Sequence, residues 1–226
     1  MQKGDIQLNN IKTKELFDCR NQSIKPLFDK TVYPWEIIPK ISEYVTELVK
    51  NGIKGFSLYK EGVLIGENVK IYSNSVIEPP AVIGEGTEIR PGAFIRGNVI
   101  TGKNCVIGNS SELKNCVLLD KVQVPHYNYV GDSILGNYVH MGAGSICSNL
   151  KSDGKNVVIH AKEDIDTGLR KVGGILGDYA DVGCSCVLNP GTVIGKYTTV
   201  YPLTSVRGVI PPNCIIKNMN TIVKKI

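Results

Sequence analysis

Phenylalanine and tryptophan are scarce in this chain, with four and one among 226 residues. A core organised around large aromatic rings is thereby excluded. An aliphatic interior turned at frequent tight corners is the alternative, and the 24 glycines suit it. No stretch approaches 18 apolar residues, so nothing reads as a membrane span. Met1–Asp5 lead into no apolar run of signal-peptide length. Long basic tracts are missing as well. The net charge of +5 comes from 26 basic and 21 acidic residues, and a pair such as Lys224–Lys225 is too short to mark a nucleic-acid partner. A disulfide framework is also absent. The seven cysteines are odd in number, and Cys184-x-Cys186 is not a CxxC pair. Buried thiols in a reducing compartment are expected, with the cytoplasm as location. Hydrophobic residues at 42% and charged residues at 21% exclude a wholly disordered or collagen-like chain.

The first 60 residues read as helix and loop. Thr13–Phe17 can open a short helix, and Pro26, Pro34 and Pro39 interrupt the chain beyond it. Ile41, Tyr44, Val45, Leu48 and Val49 recur at helical spacing until Asn51-Gly52 stops them. That apolar stripe is expected to cover the end of the next element.

From residue 65 the period becomes six. Positions 65, 71, 77, 83, 89, 95, 101, 107, 113 and 119 are aliphatic except Thr101, and small or β-branched residues follow four places later. A second run holds Leu176, Val182, Leu188, Ile194, Val200 and Val206. Between them Tyr129, Leu135, Met141 and Cys147 keep the spacing at a shifted phase, which implies insertions near 120–130 and 150–175. Neither a helix nor an ordinary strand has this period; a solenoid of short strands and tight corners does. Three hexads make one triangular coil, and stacked coils pair strands in parallel at about 4.8 Å. The expected organisation is a cap over 1–60, a β-helix over 61–212 and a tail over 213–226, with cap and tail closing the open ends.

This pattern resembles the hexapeptide-repeat acyltransferases, which implies an all-β fold: a single-stranded, left-handed parallel β-helix with a small, mostly helical N-terminal cap. Finer motifs sharpen the likeness. Ile89-Arg90-Pro91-Gly92-Ala93, Glu112-Leu113-Lys114, Pro125–Ser133 (PHYNYVGDS) and Met141–Asn149 (MGAGSICSN) are similar, in order, to segments of the acetyltransferase domain of bifunctional N-acetylglucosamine-1-phosphate uridyltransferase/glucosamine-1-phosphate acetyltransferases. Asp166–Ile175 with Leu188–Gly191 looks like the C-terminal half of archaeal-type sugar-phosphate nucleotidyltransferases that also acetylate. The Gly-rich nucleotide loop of those proteins is not found here, so no nucleotidyl transfer is expected.

The resemblance implies acetyl-coenzyme A as co-substrate, an amino-sugar phosphate as acceptor, glucosamine-1-phosphate first, and a homotrimer with the site between subunits. No metal, nucleic-acid or membrane partner is expected. Acetyl transfer to an amine needs a base near neutral pH, and the likeness gives that role to His126. The bland reading of His126 is a loop histidine bonded to backbone. Asn149 would meet the incoming amine, and Asp132 would orient His126. Arg90 and Lys114 each follow an inward aliphatic residue and would grip the phosphate; two solvated charges are the alternative. Arg96 is not separable from them. Tyr129, read as standing in an inward position, would bind the sugar phosphate or simply fill the corner. Arg170 and Lys171 would bind phosphate or belong to a solvated loop. Ala143, through its N–H, would hold the oxyanion, and His140, Cys184 and Pro202 would line the cofactor. Cys147 reads as inward filling.

Two other classes compete. A zinc hydratase of the same fold needs three converging histidines, and the chain has His126, His140 and His160, at spacings unlike that pattern. A non-catalytic β-helix would serve regulation or oligomerisation.

Overall fold

The six-residue period folds as one short strand and one corner per hexad. The computed structural model describes residues 11–218 and 221–225. Among these the coils stack into three sheets, the faces of a left-handed triangular prism. The first face opens with Val63–Gly66, Ala81–Ile83 and Val99–Thr101, the second with Lys70–Ile71, Glu88–Ile89 and Val106–Asn109, and the third with Val76–Glu78, Phe94–Arg96 and Glu112–Lys114. Each strand pairs in parallel with its equivalent in the next coil, as Val63 does with Ala81 and Ala81 with Val99.

Inside the prism Ile77, Ile83, Ile89, Ile95, Ile107, Leu113, Met141, Cys147, Val182 and Leu188 form one dry column of buried side chains. Burial pushes the Cys147 thiol up to about 12, so it stays protonated and serves as filling. Thr101 keeps its inward place, and its hydroxyl is satisfied there because it accepts the Gly84 N–H at 2.9 Å.

Phase is where the sequence reading needs correction. The inward residue after Leu113 is Leu118, not Leu119, and the next in the third face is Val130, not Tyr129. No insertion lies near 120–130. Cys116 pairs with Val99 and Val117 with Ile134, so these coils are one residue shorter than their 18-residue neighbours. Gln123–His126 is a regular strand of the second face. The second insertion is present: Ile134 pairs with Ile175, and the extra chain between carries the antiparallel hairpin Val158–His160/Asp164–Asp166.

The cap does not close the end of the prism. It lies along the first face. Short helices α1 (Thr13–Leu16) and α2 (Lys25–Asp29), a 3-10 turn over Pro34–Lys40 and helix α3 (Ile41–Asn51) bury Leu16, Phe28, Trp35, Ile37, Ile41 and Val45. They share a second core with Leu64, Val82, Ile100, Val117 and Ile134, the outward side chains of that face. Ile41 and Val45 recur four apart, so one stripe of α3 meets the sheet, and Gly52 at φ 73° ends the helix. The hairpin insertion continues the cover with Val157, Ile159 and Val172. The segment that does pair with the first edge is Phe56–Lys60, antiparallel to Val63–Gly66. At the other end the repeat runs past residue 212. Cys214–Asn218 pairs in parallel with Thr199–Val200, and Thr221–Lys224 folds back on it.

Among the described residues the first face is thus covered by the chain itself and the other two are bare. On the third face Val76, Phe94, Ile146 and Val187 stand exposed in paired register around Glu112 and Tyr129. No helix among the described residues is long and apolar enough to cross a membrane.

Candidate active site

The corner between the second and third faces carries the residues expected to handle the acyl donor. His126 pairs with Asn109 below it, and its carbonyl accepts the Gly144 N–H at 3.0 Å. One coil higher the Ala143 carbonyl accepts from Ser185, and one higher again that of Cys184 accepts from Leu203. His126, Ala143, Cys184 and Pro202 therefore climb one edge, about 4.8 Å per coil. The His126 imidazole is exposed and bonded to no described residue. The Ala143 N–H likewise has no partner among the described residues and is free to donate. Residues of this edge that bulge to solvent adopt left-handed backbone: Tyr127 at φ 52° is 64% exposed and Leu203 at φ 61° is 82% exposed. The same left-handed backbone recurs at corners throughout the prism, as at Lys121, Tyr138 and Tyr179, and at this edge it leaves two large side chains bare.

Asn128, which the sequence reading passed over, fixes this edge. It is buried, its Oδ1 accepts the His126 N–H at 3.0 Å, and its Nδ2 donates to the Gly142 carbonyl at 2.8 Å. One amide thus ties the His126 peptide to the turn that presents Ala143. The signal was an asparagine at an inward corner position, where this chain otherwise places small or β-branched residues.

A second cluster lies at the far edge of the third face. Asn149 Nδ2 donates to the Tyr129 hydroxyl at 3.2 Å and to Asp132 Oδ2, and Asn115 Nδ2 donates to Asp132 Oδ1 at 2.8 Å. Both amide hydrogens of Asn149 are so engaged, and its Oδ1 remains an open acceptor. Burial raises the Tyr129 hydroxyl above its ordinary range, and it stays neutral. Beside Tyr129, Arg96 holds Glu112 at 2.6 Å, and Lys114 pairs with Gly131 in the strand register. Within one chain Asp132 is engaged by Asn149 and Asn115, and a whole face separates it from His126.

Arg90 and Lys114 do not converge in one chain. Arg90 ends its second-face strand beside the His126 edge and bonds Glu88 at 3.2 Å, whereas Lys114 belongs to the far edge. His140 stands away from the His126 edge. On the second face its Nδ1 meets Asp181 Oδ1 at 2.8 Å. His160 pairs with Asp164 in the hairpin. The three histidines thus occupy separate places, and no group of three or more metal-ligating side chains converges among the described residues. Arg170 and Lys171 lie in the insertion, beside a groove that reaches Asp132.

Three parallel sheets wound from hexads define a hexapeptide-repeat left-handed β-helix protein. The family model described as GMPPB C-terminal domain matches residues 77–168. The chain is 32% identical over 238 aligned residues to the bifunctional protein GlmU of Methanococcus aeolicus, an alignment covering 96% of this chain and 52% of that protein. It is 34% identical over 151 residues to the bifunctional sugar-1-phosphate nucleotidylyltransferase/acetyltransferase of Sulfurisphaera tokodaii, over 61% of this chain and 38% of that one. Among solved structures, UDP-N-acetylglucosamine acyltransferase from Campylobacter jejuni is similar with a TM-score of 0.48 and 16% identity, over 69% of this chain and 67% of that one, too distant to bear on function. The chain is related to the GlmU-type bifunctional proteins, and it spans about half the length of the curated relatives it matches.

Proposed function

We propose that this chain is an acetyl-coenzyme A-dependent N-acetyltransferase acting on an amino-sugar phosphate, with glucosamine-1-phosphate as the leading acceptor. The observation that carries the reading is the donor edge: an exposed, unbonded His126 imidazole one coil below an unbonded Ala143 N–H. The sugar amine attacks the thioester carbonyl carbon, and a C–N bond forms. His126 takes the amine proton. The Ala143 N–H meets the negative charge that develops on the carbonyl oxygen. The C–S bond then breaks, and the coenzyme A thiolate recovers the proton from the imidazolium. Asn149 Oδ1 accepts from the amine and aims its lone pair. Cys184 and Pro202 continue the edge along which the cofactor arm lies.

The base and Asn149 stand at opposite edges of the third face, so one chain presents two half-sites. A second copy that lays its Asn149 edge against the His126 edge completes the site, and three copies close the ring. The exposed Val76, Phe94, Ile146 and Val187 and the bare Tyr127 and Leu203 are the apolar surface such an assembly covers. In the ring Arg90 of one copy and Lys114 of the next approach the same cleft.

Thiol release from acetyl-coenzyme A tests this reading, with glucosamine-1-phosphate offered beside unphosphorylated glucosamine. Turnover is expected with the phosphorylated sugar at a rate at least about tenfold higher, since a paired phosphate grip is worth more than about 1.4 kcal/mol. A protein that neither turns over nor binds coenzyme A is instead a non-catalytic β-helix. The separation of the half-sites within one chain favours that second reading if the protein is a monomer.

A further inference from the structure

Each turn at the corner between the second and third faces ends on a side chain aimed inward. These are Ala93, Ser111, Asn128, Ser145, Cys186 and Thr204, one per coil and all buried. Asn128 alone of the six is a carboxamide, which carries an acceptor and two donors in one plane. Its own N–H donates to Ser111 Oγ at 3.2 Å. Its Nδ2 donates to the Ser145 carbonyl at 3.3 Å as well as to that of Gly142 at 2.8 Å. The residue is therefore anchored to the coil below and bonded to the coil above.

The Gly142 carbonyl and the Ala143 N–H are the two ends of one peptide group. A planar trans peptide points its carbonyl and its N–H in opposite directions. Three donors hold the carbonyl inward: the Ser145 N–H at 3.1 Å, Ser145 Oγ, and Asn128 Nδ2 at 2.8 Å. The Ala143 N–H is thereby aimed outward. Donors on the carbonyl also polarise the group and strengthen its N–H as a donor. The two Ser145 bonds close their own turn and travel with it. The Asn128 bond comes from the coil of His126. Beside the Gly144 N–H, which donates to the His126 carbonyl at 3.0 Å, it is a second tie between the two turns. Two ties set a tilt where one leaves a pivot. At His126 the same side chain acts in the opposite sense: its Oδ1 accepts the His126 N–H at 3.0 Å and draws it inward. This edge therefore offers its N–H at Ala143 and not at His126.

We propose that Asn128 is a positioning residue for acetyl transfer, whose carboxamide aims the Ala143 N–H at the thioester carbonyl oxygen and fixes its tilt above His126. It touches no reactant and acts through the peptide it holds. This rests on the acetyltransferase reading and adds to it the group that orients the oxyanion donor. A contrast stands two coils higher. There the Thr204 hydroxyl holds the Tyr201 carbonyl at 2.7 Å, but the next residue is Pro202, which has no N–H to aim.

Steady-state thiol release from acetyl-coenzyme A with glucosamine-1-phosphate, beside calorimetric titration with coenzyme A, is the test. Asn128→Ala is expected to lower kcat about tenfold or more, a part of the roughly 10²–10³-fold that one oxyanion donor supplies. Coenzyme A has no acetyl carbonyl, so its affinity does not read the Ala143 N–H and is expected to stay within about twofold. Asn128→Ser, with the side chain found at Ser111 and Ser145, keeps one donor and is expected to lose about threefold in kcat. It carries the test if the alanine variant fails to fold. Thr204→Ala removes a buried corner bond of the same kind and is expected to keep wild-type kcat. Asn128 variants with the kcat of Thr204→Ala overturn the proposal. So do variants whose coenzyme A affinity falls as far as their kcat, because the whole edge has then collapsed. A wild type that releases no thiol with any amino-sugar phosphate removes the acetyltransferase reading and the proposal with it. A wild type that turns over beside unimpaired Asn128 variants removes the proposal alone.

Discussion

His126→Ala is expected to lower kcat for acetyl transfer by about 10²–10⁴-fold, the span that general-base catalysis supplies. The reason is that no other described imidazole stands on the donor edge: His140 is held by Asp181 on the second face and His160 by Asp164 in the hairpin. The fold is expected to survive. The His126 side chain is exposed and bonds nothing, and the backbone bonds to Asn128 and Gly144 persist with any residue there. A melting curve within about 0.5 kcal/mol of wild type is the matching expectation for an exposed, unpartnered site. Steady-state thiol release, run beside that melt, checks both. A variant that keeps wild-type kcat removes His126 from the chemistry.

Gly108→Ala is expected to have the largest effect on stability. A methyl group at Gly108 would sit 1.6 Å from the Pro125 carbonyl oxygen of the next coil, inside its van der Waals surface, and the neighbour is backbone. Relief requires two coils to part, and a parallel stack with continuous register has no slack to give. The expected cost is about 4 kcal/mol or more, at the severe end for single substitutions, seen as loss of folded protein or of most of the denaturant midpoint. Gly168→Ala is the contrast. It meets nothing within 4 Å but sits at φ 70°, so it pays only the left-handed backbone penalty of about 1 kcal/mol. Equal stability of the two variants would contradict the close stacking beneath the donor edge, because Gly108 lies directly under Pro125, the residue before His126.

The prism was legible because its signal is long. Nine aliphatic residues at one spacing have one physical explanation. Its phase was harder. Leu118 and Leu119 are both leucine, and Val130 follows Tyr129, so a shortening by one residue left two apolar candidates at each step, and spacing alone chose the wrong one. The cap's destination was readable in principle. Val63-Leu64-Ile65, Ala81-Val82-Ile83 and Cys116-Val117-Leu118 are unbroken apolar runs, the mark of a strand buried on both sides, and they flag the covered first face. The other faces alternate, as at Glu112-Leu113-Lys114. For the site, motifs named the residues but not their grouping. His126 and Asp132 are six apart in sequence, and a hexad separates equivalent places on adjacent faces, so the two lie at different corners. Asn128 went unseen because its work is done through backbone bonds that only the fold creates.

If two copies complete each site, chains that lack opposite halves should complement one another. His126→Ala and Asn149→Ala proteins are unfolded together, refolded as an equal mixture and assayed for thiol release. Each alone is expected to be nearly inactive. If the His126 edge of one copy meets the Asn149 edge of the next in a closed ring, about a quarter of the interfaces in random assemblies hold both intact edges, and about a quarter of wild-type activity returns. Mixed assemblies that remain as inactive as either parent would show that the two edges do not complete a shared site.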